Sequence, residues 1–523
     1  MPAHSSTTQA GKGAGRPRIA FLAAFLDDEY EWVIWRGVRR AVEERGGSVV
    51  YFAGASFEDP NPARRARSRI FDLVDAAGVD GILCLSSVLG HFVGVPGIER
   101  WLLQRGLLTL AIGPAEHVPS VMVDDSTGVT QLMRHLIEHH GRRRIAFVTG
   151  NPSNAEAQRR LSTYIQVLAD SGLSFDPRLT LTGDFTVDSG ARAIRELFDV
   201  RQIPLDAVDA VVCSNDSMAF GAIEELLRRQ IPVPERMPVV GFDDIAGART
   251  FRPPLTTVRQ PLAELGRQGA RRLFDLLDGG TSPGALTLDT ELVLRRSCGC
   301  VPTEIASLDD RCDDFGSAPI SAVALEAALA AELQGAPGTF TRTLEPALRR
   351  IAAGNAERLE LGRDFADELA TRVRLAREDL VHQRFNRFAR LLSQRMFGPT
   401  HLVSAALAEY LPELGLGECA VAELLPPVPG ETRRRLKLAF GFDTTTREPL
   451  LTTFDATELV PPAFENLRTS SCLILPLTCG AETLGIFAAP TSARDGVFYE
   501  TLAELLGTVL KVLDLRRRSA DGG

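Results

Sequence analysis

The sequence contains no uninterrupted run of about 18 apolar residues, the length that a membrane-spanning helix needs. Its first residues, MPAHSSTTQAGKGAGRPR, are small and polar and lack the apolar core of a secretory signal. These two absences predict a cytoplasmic protein with no membrane partner. Residues 1–17 are expected to form a disordered leader.

Motifs that mark common classes of enzyme are also missing. The sequence has no phosphate-binding P-loop, no Gly-x-Ser-x-Gly elbow and no His-Glu-x-x-His motif. The stretch GKGAG has closely spaced glycines, but it lacks the preceding strand that a phosphate-binding loop requires. The chain is therefore not expected to be an enzyme, and no cofactor is predicted.

Cysteine is scarce for a chain of 523 residues. Most of the eight cysteines stand singly in apolar runs, which fits a reduced interior rather than a disulfide framework. Cys298 and Cys300 are close together, with Cys312 nearby. Because no second pair and no histidine lies at zinc spacing from them in the sequence, the pattern favours a structural turn with reduced thiols, and no metal site is predicted.

The net charge and the length of the chain further limit the class of protein it can belong to. The 58 basic and 67 acidic residues give a net charge of −9, which argues against wholesale coating of nucleic acid but leaves room for a local basic patch. Hydrophobic residues make up 45% of the chain and charged residues 24%, as in ordinary globular proteins. A chain of this length exceeds one compact core, so two or three domains are expected.

From Arg18 onwards, short apolar runs alternate with amphipathic stretches. RIAFLAAF, for example, is followed by EWVIWRGVRRAVEERGG and then by SVVYFAG. This alternation is typical of a parallel sheet with helices on both faces. This alternation of strands and helices begins again near residue 125. It therefore predicts an α/β fold with two doubly wound parallel-sheet lobes of similar size between residues 18 and 258.

The pattern changes after Cys300. Residues 301–400 are expected to form a helical connector, and residues 401–523 a small α+β unit with a mostly antiparallel sheet and a final helix. Within the connector, an apolar stripe recurs at three- and four-residue spacing, on one helical face. It consists of Phe385, Phe388, Leu391 and Leu392. This face can pack against a second protomer or back on the chain itself.

Polar and aromatic side chains gather where the strands end, and in open α/β sheets ligands bind outside those carboxyl ends. The candidate ligand-binding residues are Tyr30, Glu156, Arg160, Phe185, Asn215 and Asp243. This set combines aromatic rings, amide and carboxylate acceptors and an arginine. It suits a small polar ligand with hydroxyls and an apolar face, such as a sugar or a nucleobase. Arg160 and Asp243 are expected to matter for binding and little for folding.

Purely structural roles are an alternative to ligand binding for several of these residues. Asp28, Asp125 and Asp216 follow strands, where carboxylates often serve only as helix N-caps. Taken alone, Phe185 is typical of a core residue, and Arg160 of a surface residue beside another arginine. The composition and the spacing of these residues, taken alone, predict only a two-lobed binding fold.

Five motifs, in order along the chain, carry a more specific signal. They are IAFLAAFLDDEYEWVIWRGV, HLIEHHGRRRIAFVTG, GDFTVDSGARAI, CSNDSMAFGAI and VVGFDDI with PPLTTVRQPLAELG. Together they closely resemble the effector-binding core of the LacI/GalR family. The resemblance implies a type I periplasmic-binding-protein fold over residues 18–300, with lobe 1 at about 18–125 and 259–280 and lobe 2 at about 126–258 and 285–297.

The resemblance also implies roles for the candidate residues. Arg160 matches the family arginine that grips ligand hydroxyls or a carboxylate, and Asp243 matches its opposing carboxylate. Phe185 matches an aromatic that stacks on the ligand. Asn215 matches a polar contact, and Tyr30 falls where an aromatic follows the first strand.

Glu156 falls among the family's variable specificity residues. Two departures from the family pattern bear on the ligand. Thr163 replaces the usual glycine of the arginine motif. Gly113 sits where sugar-binding members often carry an acidic residue, so a standard hexose or galactoside is not expected.

The third departure concerns DNA. Family repressors begin with a helix-turn-helix and a hinge helix, whereas about seventeen residues precede the first strand here. Direct DNA binding is therefore not expected. RRSCGC, the helical region and the C-terminal segment are similar to bacterial signalling proteins in which a LacI-like sensor is joined to a GAF-like domain. No GGDEF, kinase or terminal helix-turn-helix signature follows, so a separate output protein is expected.

The sequence thus predicts a cytoplasmic, homodimeric sensor of small molecules that acts in signal transduction or transcription regulation. Its lobes would close about crossovers near residues 125, 258 and 285. Two alternatives remain open. One is a DNA-binding regulator with an unrecognised reading element, and the other is a scaffold with a vestigial cleft.

Overall fold

A computed structural model describes most of the chain before residue 301 and parts of the remainder. The described residues are 16–281, 284–300, 388, 389, 392, 407, 411, 416, 418–425, 435–443, 453–455, 460, 464–491 and 496–521. The leader expected over residues 1–17 and the connector expected over residues 301–400 lie almost wholly outside them, as does Cys312.

Lobe 1 is built on parallel strands flanked by helices. Its strands are β1 (Arg18–Ala23), β2 (Ser48–Ala53), β3 (Gly81–Leu85), β4 (Leu108–Ile112), β5 (Ser120–Val123) and β11 (Ala285–Leu288), in the order β11-β5-β4-β3-β1-β2. Its helices are α1 (Glu29–Glu44), α2 (Pro62–Arg67), α3 (Ser86–Leu89), α4 (Gly94–Leu103) and α10 (Leu262–Leu277), with a 3-10 helix over Ser68–Ala76. The apolar strands are buried on both faces, as a doubly covered parallel sheet requires.

Lobe 2 repeats the arrangement with a four-stranded parallel sheet. Its strands are β6 (Ile145–Thr149), β7 (Thr180–Thr182), β8 (Ala210–Cys213) and β9 (Val239–Val240), in the order β7-β6-β8-β9. Its helices are α5 (Asp125–Arg134), α6 (Ala155–Asp170), α7 (Val187–Arg195), α8 (Asp216–Arg228) and α9 (Ala246–Thr250). Helices α5 and α7 continue into π-helical turns over His135–His139 and Glu196–Val200. Short 3-10 turns cover Pro177–Leu179, Leu205–Ala207 and Arg296–Cys298.

The last part of the sensor differs from the sequence prediction. The stretch that was assigned to lobe 2 at about residues 285–297 forms two strands that belong to different sheets. Strand β11 pairs in parallel with β5 of lobe 1, whereas β12 (Glu291–Val293) pairs antiparallel with β10 (Thr257–Arg259). Residues 285–288 therefore lie in lobe 1, and their assignment to lobe 2 was wrong. Local apolar alternation continues through both strands and does not reveal which sheet each one joins.

The C-terminal region contains an antiparallel sheet. Its strands are β13 (Glu418–Leu424), β14 (Arg435–Asp443), β15 (Thr453–Asp455), β16 (Cys472–Cys479) and β17 (Glu482–Pro490), and its helices are α11 (Glu465–Thr469) and α12 (Gly496–Asp521). The order is β16-β17-β13-β14-β15, with every neighbouring pair antiparallel. The antiparallel sheet and the final helix α12 agree with the small α+β unit expected for this region.

The C-terminal sheet continues the sheet of lobe 1, which the sequence did not indicate. Strand β16 pairs in parallel with β2, with Cys472 opposite Val50 and Ile474 opposite Phe52, so that eleven strands form one sheet. Phe388 and Leu392, from the apolar stripe, are buried in the core that the two regions share. That part of the stripe packs on its own chain, while Phe385 and Leu391 lie outside the described residues.

Within the described part of the chain, no helix has both the length and the apolar character needed to cross a membrane.

Candidate functional site

Side chains from both lobes meet at the carboxyl ends of the strands. Tyr30, in the first turn of α1, lies within electrostatic range of Glu156, Arg160 and Asp243 of lobe 2. Burial is the largest influence on its phenol and raises the pKa well above the ordinary value. The two carboxylates raise it further, while Arg160 and a hydrogen bond with Ser87 lower it. Four of the six predicted ligand-binding residues are thus brought together.

Arg160 is the central cation of this group. Its side chain is buried on helix α6, so the alternative of a surface arginine was wrong. Its Nε donates to a carboxylate oxygen of Asp125 at 2.8 Å, and its Nη1 donates to the carbonyl of Ser214 at 2.7 Å. The guanidinium lies 3.9 Å from the centre of the Phe242 ring. These contacts hold the arginine in one orientation at the cleft.

Asp125 is a partner of this arginine rather than a helix cap. The cap of α5 is Asp124, which accepts from the Thr127 backbone N–H at 3.0 Å. The Asp125 carboxylate instead pairs with both Arg159 and Arg160, at 2.7 and 2.8 Å. The sequence missed this role because two adjacent aspartates before a helix are equally suitable as caps. By contrast, Asp28 does cap helix α1, as predicted, by accepting from the Glu31 N–H.

Two carboxyl groups border the arginine. The Glu156 carboxylate lies 3.9 Å from Arg160 Nη2, and burial, followed by the charge of Asp125, raises the pKa of Glu156 to about 6. Burial, followed by the charge of Asp216, raises the pKa of Asp243. Asp243 also accepts from Gln260 Nε2 at 2.6 Å. The site therefore offers fixed N–H donors beside carboxyl groups that can be protonated more easily than in water.

The two adjacent aspartates after β9 have different roles. Asp243 has a backbone φ of 133°, and its charge acts on the phenol of Tyr30 in the other lobe. Asp244 turns away and forms ion pairs with Arg259 at 2.6 Å and with Arg295 at 2.7 Å. Its pKa is accordingly lowered, since these arginines outweigh the effect of burial. Asp244 is therefore engaged by two arginines, and a contact of Asp243 with a ligand stays a prediction.

Asp216 holds the strand end together and does not act as a cap. Its carboxylate accepts from the Thr257 hydroxyl at 2.5 Å and from the Ile245 N–H at 3.1 Å. The cap of helix α8 is the preceding residue, Asn215, whose side-chain oxygen accepts from the Met218 N–H at 2.9 Å. The cap prediction for Asp216 was therefore displaced by one residue.

Phe185 faces the opposite lobe. Its backbone has a positive φ of 67°, and its ring covers Gly150, where an added Cβ would lie 2.2 Å from the ring. The ring faces His91 of lobe 1 at a centroid distance of 5.7 Å. Asn215 Nδ2 donates to the Phe185 carbonyl at 3.0 Å. Asn215 thus positions Phe185, and a direct contact of either residue with a ligand stays a prediction.

The lobes touch across the cleft. Asn154 Nδ2 of lobe 2 donates to the Ser87 carbonyl of lobe 1 at 2.9 Å. In the same direction, the Ala246 N–H of lobe 2 donates to the Glu29 carboxylate of lobe 1 at 2.7 Å. Together with the pair of rings formed by His91 and Phe185, these contacts define a closed arrangement of the two lobes.

Gly113 has a structural reason to lack a side chain. Its φ is 115°, and an added Cβ would lie 2.9 Å from Ser86 Oγ and 3.0 Å from the Ser87 nitrogen. An acidic residue would therefore require helix α3 to shift. Thr163, the other departure, is bonded locally, since its hydroxyl donates to the Arg159 carbonyl at 2.9 Å.

Known proteins resemble the sensor part of the chain. The model of the periplasmic binding protein-like domain matches residues 133–298. The chain is 35% identical over 266 residues to the HTH-type transcriptional regulator CelR of Thermobifida fusca, covering 50% of this chain and 74% of CelR. It is 32% identical over 232 residues to the HTH-type transcriptional repressor CytR of Escherichia coli K12, covering 44% of this chain and 66% of CytR.

A solved structure, the transcriptional regulator CelR in complex with cellobiose, is 32% identical to the chain. The match covers 54% of this chain and 85% of that one, with a TM-score of 0.47.

The fold and the matches define an effector-binding domain of the periplasmic-binding-protein-like α/β class, with two parallel-sheet lobes. The chain belongs to the LacI/GalR family. It spans slightly less than two thirds of CytR, at 66% of that protein's length. The matched relatives are non-enzymatic transcription regulators, in agreement with the expectation that the chain is not an enzyme.

Proposed function

We propose that the chain is a cytoplasmic sensor that closes on a small polar effector, such as a sugar, a nucleobase or a related metabolite, and acts in transcription regulation or signal transduction. The observation that carries the proposal is a cleft bridged by contacts between the two lobes, with Tyr30 of lobe 1 in electrostatic range of Arg160 and Asp243 of lobe 2. A ligand held between two lobes stabilises their closed form in proportion to its differential affinity for that form.

The chemistry of the site supports this class of ligand. Arg160 and the Tyr30 hydroxyl supply hydrogen-bond donors, and Asp243 supplies an acceptor. Because its pKa is raised to about 6, Glu156 can change from acceptor to donor near neutral pH. Phe185 offers an aromatic face for the apolar side of a sugar or a base. Sugar-binding members of the family often carry an acidic residue at the position of Gly113, where this structure has no room for a side chain. This difference supports an effector other than a standard hexose.

The test is a thermal-shift screen of monosaccharides, disaccharides, nucleosides and nucleobases, followed by calorimetry on the hits. Asp243→Asn is the informative variant because it keeps the shape of the side chain and removes its charge. We expect a tenfold to hundredfold loss of affinity, or about 1.5–3 kcal/mol. Asp188→Asn, at an exposed carboxylate on helix α7, is the matched control and should bind as the wild type does.

Two results would contradict the proposal. Equal affinity of Asp243→Asn and wild type for the same hit would remove Asp243 from the site. Failure of every class of compound to bind would favour the scaffold with a vestigial cleft. Arg160→Ala is a poorer first test, since Arg160 also neutralises the buried Asp125.

We further propose that the C-terminal region is GAF-like and passes the closure of the lobes to a separate output protein. Its antiparallel strands and final helix support this assignment, and the pairing of β16 with β2 provides a direct connection to lobe 1. Hydrogen exchange with and without the effector should show altered protection in β16 and α12. Unchanged exchange there, with altered exchange at the cleft, would rule out a relay through this region.

We propose a homodimer as the working form, with no direct reading of DNA. Light scattering at micromolar concentrations should give twice the mass of the chain, and a monomer would contradict this. On duplex DNA, we expect only weak, salt-sensitive retention because the net charge is −9. Tight, sequence-selective binding at physiological salt would instead favour the alternative of a DNA-binding regulator.

A further inference from the structure

Four side chains with metal-binding atoms converge at the end of the sensor, outside the ligand site. They are His135, His140, Cys298 and Cys300, here called the His–Cys cluster. One potential ligand atom from each lies within 4.8 Å of all the others. The sequence did not reveal this cluster, because the histidines precede the cysteines by about 160 residues.

The distances within the cluster match a tetrahedral site. The Nε2 atoms of His135 and His140 are 3.1 Å apart. Cys300 Sγ lies 3.2 Å from the Nε2 of His140 and 3.4 Å from that of His135, and Cys298 Sγ lies 3.6 Å from the latter. Zinc bonds of about 2.0–2.1 Å to nitrogen and about 2.3 Å to sulfur place tetrahedral ligands about 3.3–3.8 Å apart.

The local backbone aims all four side chains at one point. The π-helical turn His135–His139 ends helix α5 and brings both histidine rings to the same side. Between the two cysteines, Gly299 adopts a φ of 102°, which is a left-handed conformation that favours glycine and turns both sulfur atoms toward the rings. Cys298 is buried, and its sulfur also lies 3.1 Å from the Thr256 hydroxyl.

We propose that the His–Cys cluster binds one zinc ion. Two imidazole nitrogens and two thiolates in a tetrahedral set are the donors that structural zinc prefers. The four residues supply a complete coordination shell, which is typical of a structural rather than a catalytic metal. Chain segments about 160 residues apart provide the ligands.

The position of the cluster indicates what the ion would do. Cys300 is the last residue of the sensor before the chain continues toward the C-terminal region, and helix α5 begins at the crossover between the lobes. A zinc ion would tie the exit of the sensor to lobe 2. A movement of lobe 2 against lobe 1 would then be transmitted to the chain that follows residue 300.

The experiment measures metal in the full-length protein, purified without chelators under reducing conditions. Elemental analysis should find roughly one zinc ion per chain. After removal of zinc, added Co²⁺ should produce visible bands of tetrahedral cobalt and a thiolate charge-transfer band. Cys300→Ser and His140→Ala should each lower bound zinc at least severalfold and weaken the cobalt thiolate band or shift the visible bands.

Two matched controls separate ligation from general damage. Cys479→Ser removes another incompletely buried thiol, and His139→Ala removes the exposed imidazole that stacks on His135. Both should keep the zinc content of wild type. Circular dichroism should show that the Cys300→Ser and His140→Ala variants are folded, and if either is not, the cobalt spectrum of the wild type decides alone.

The proposal is overturned by folded wild-type protein that holds far less than one zinc ion per chain and gives no cobalt thiolate band. It is also overturned if folded Cys300→Ser and His140→Ala retain as much zinc as the two controls. Equal loss of zinc in all four variants would show that the metal is not held by these particular side chains.

Discussion

The carboxylate of Glu500 lies 2.6 Å from the guanidinium of Arg67, and both side chains are about nine-tenths buried. This ion pair joins helix α12 of the C-terminal region to helix α2 of lobe 1. The same carboxylate accepts from the Leu26 N–H at 3.1 Å. Leu26 belongs to the loop that leads from β1 to Tyr30, so the C-terminal helix and the ligand site contact the same short segment.

Loss of the Glu500 carboxylate should destabilise the junction strongly. Glu500→Ala leaves Arg67 as a buried, unpaired charge and the Leu26 N–H without its acceptor. Breaking a buried pair in this way costs about 3–5 kcal/mol of unfolding free energy. Urea denaturation of full-length protein measures it. Glu504→Ala, on an exposed face of the same helix, is the control and should change stability little. Equal stability of both variants would contradict a structural junction here.

The hydrogen bond from Asn154 to Ser87 should favour the closed lobes. Asn154→Asp keeps the oxygen that caps helix α6 through the Ala157 N–H, but it loses the amide donor to the Ser87 carbonyl. We expect a shift toward open lobes, seen as a larger radius of gyration in X-ray scattering, and about tenfold weaker effector binding. Asn61→Asp, at a cap of helix α2 away from the cleft, is the control. An unchanged radius and affinity would show that this bond does not hold the lobes closed.

Stability should depend on pH through Glu156. Its pKa in the folded protein is about 6, above its ordinary value of 4.5. Between these two pH values the native state therefore binds more protons at Glu156 than the unfolded state does. Protonated Glu156 thus contributes to the free energy of unfolding in full below about pH 4, and this contribution is lost as the pH rises through about 6. From pH 4 to 7, wild type should lose about 2 kcal/mol relative to Glu156→Gln. Urea denaturation across this range checks it, with Glu224→Gln at an exposed position as control. Parallel curves for wild type and Glu156→Gln would contradict the raised pKa.

Arg160 should contribute to folding as well as to binding, contrary to the expectation from the sequence. The side chain of Asp125 is fully buried, and Arg160 donates to it directly. Arg160→Ala removes that partner, although Arg159 remains, and should cost about 3 kcal/mol in unfolding free energy. Chemical denaturation measures the change. Arg178→Ala, at an exposed pair with Asp176, should leave stability unchanged. A wild-type midpoint for Arg160→Ala would restore the view that Arg160 serves binding alone.

The apolar periodicity of a segment predicted its secondary structure correctly where that structure depends mainly on the segment itself. The apolar runs of β1 and β2 and the amphipathic helix α1 between them were predicted from periodicity, since burial on a sheet or a helix face imposes that spacing. The candidate site was predicted in part. Tyr30, Glu156, Arg160 and Asp243 do converge, because parallel strands place their carboxyl ends at one edge.

The sequence by itself determined the two-lobed α/β architecture, the order of the strands along the chain and the strand ends at which the candidate ligand site was predicted. Only the tertiary structure decided that Asp125 neutralises Arg160, that β16 extends the sheet of lobe 1 and that two histidines meet Cys298 and Cys300. The physical reason is the same in each case. Strand pairing, ion pairs and side-chain clusters between segments tens to hundreds of residues apart depend on how the chain packs. They produce no periodic pattern in the sequence of either segment.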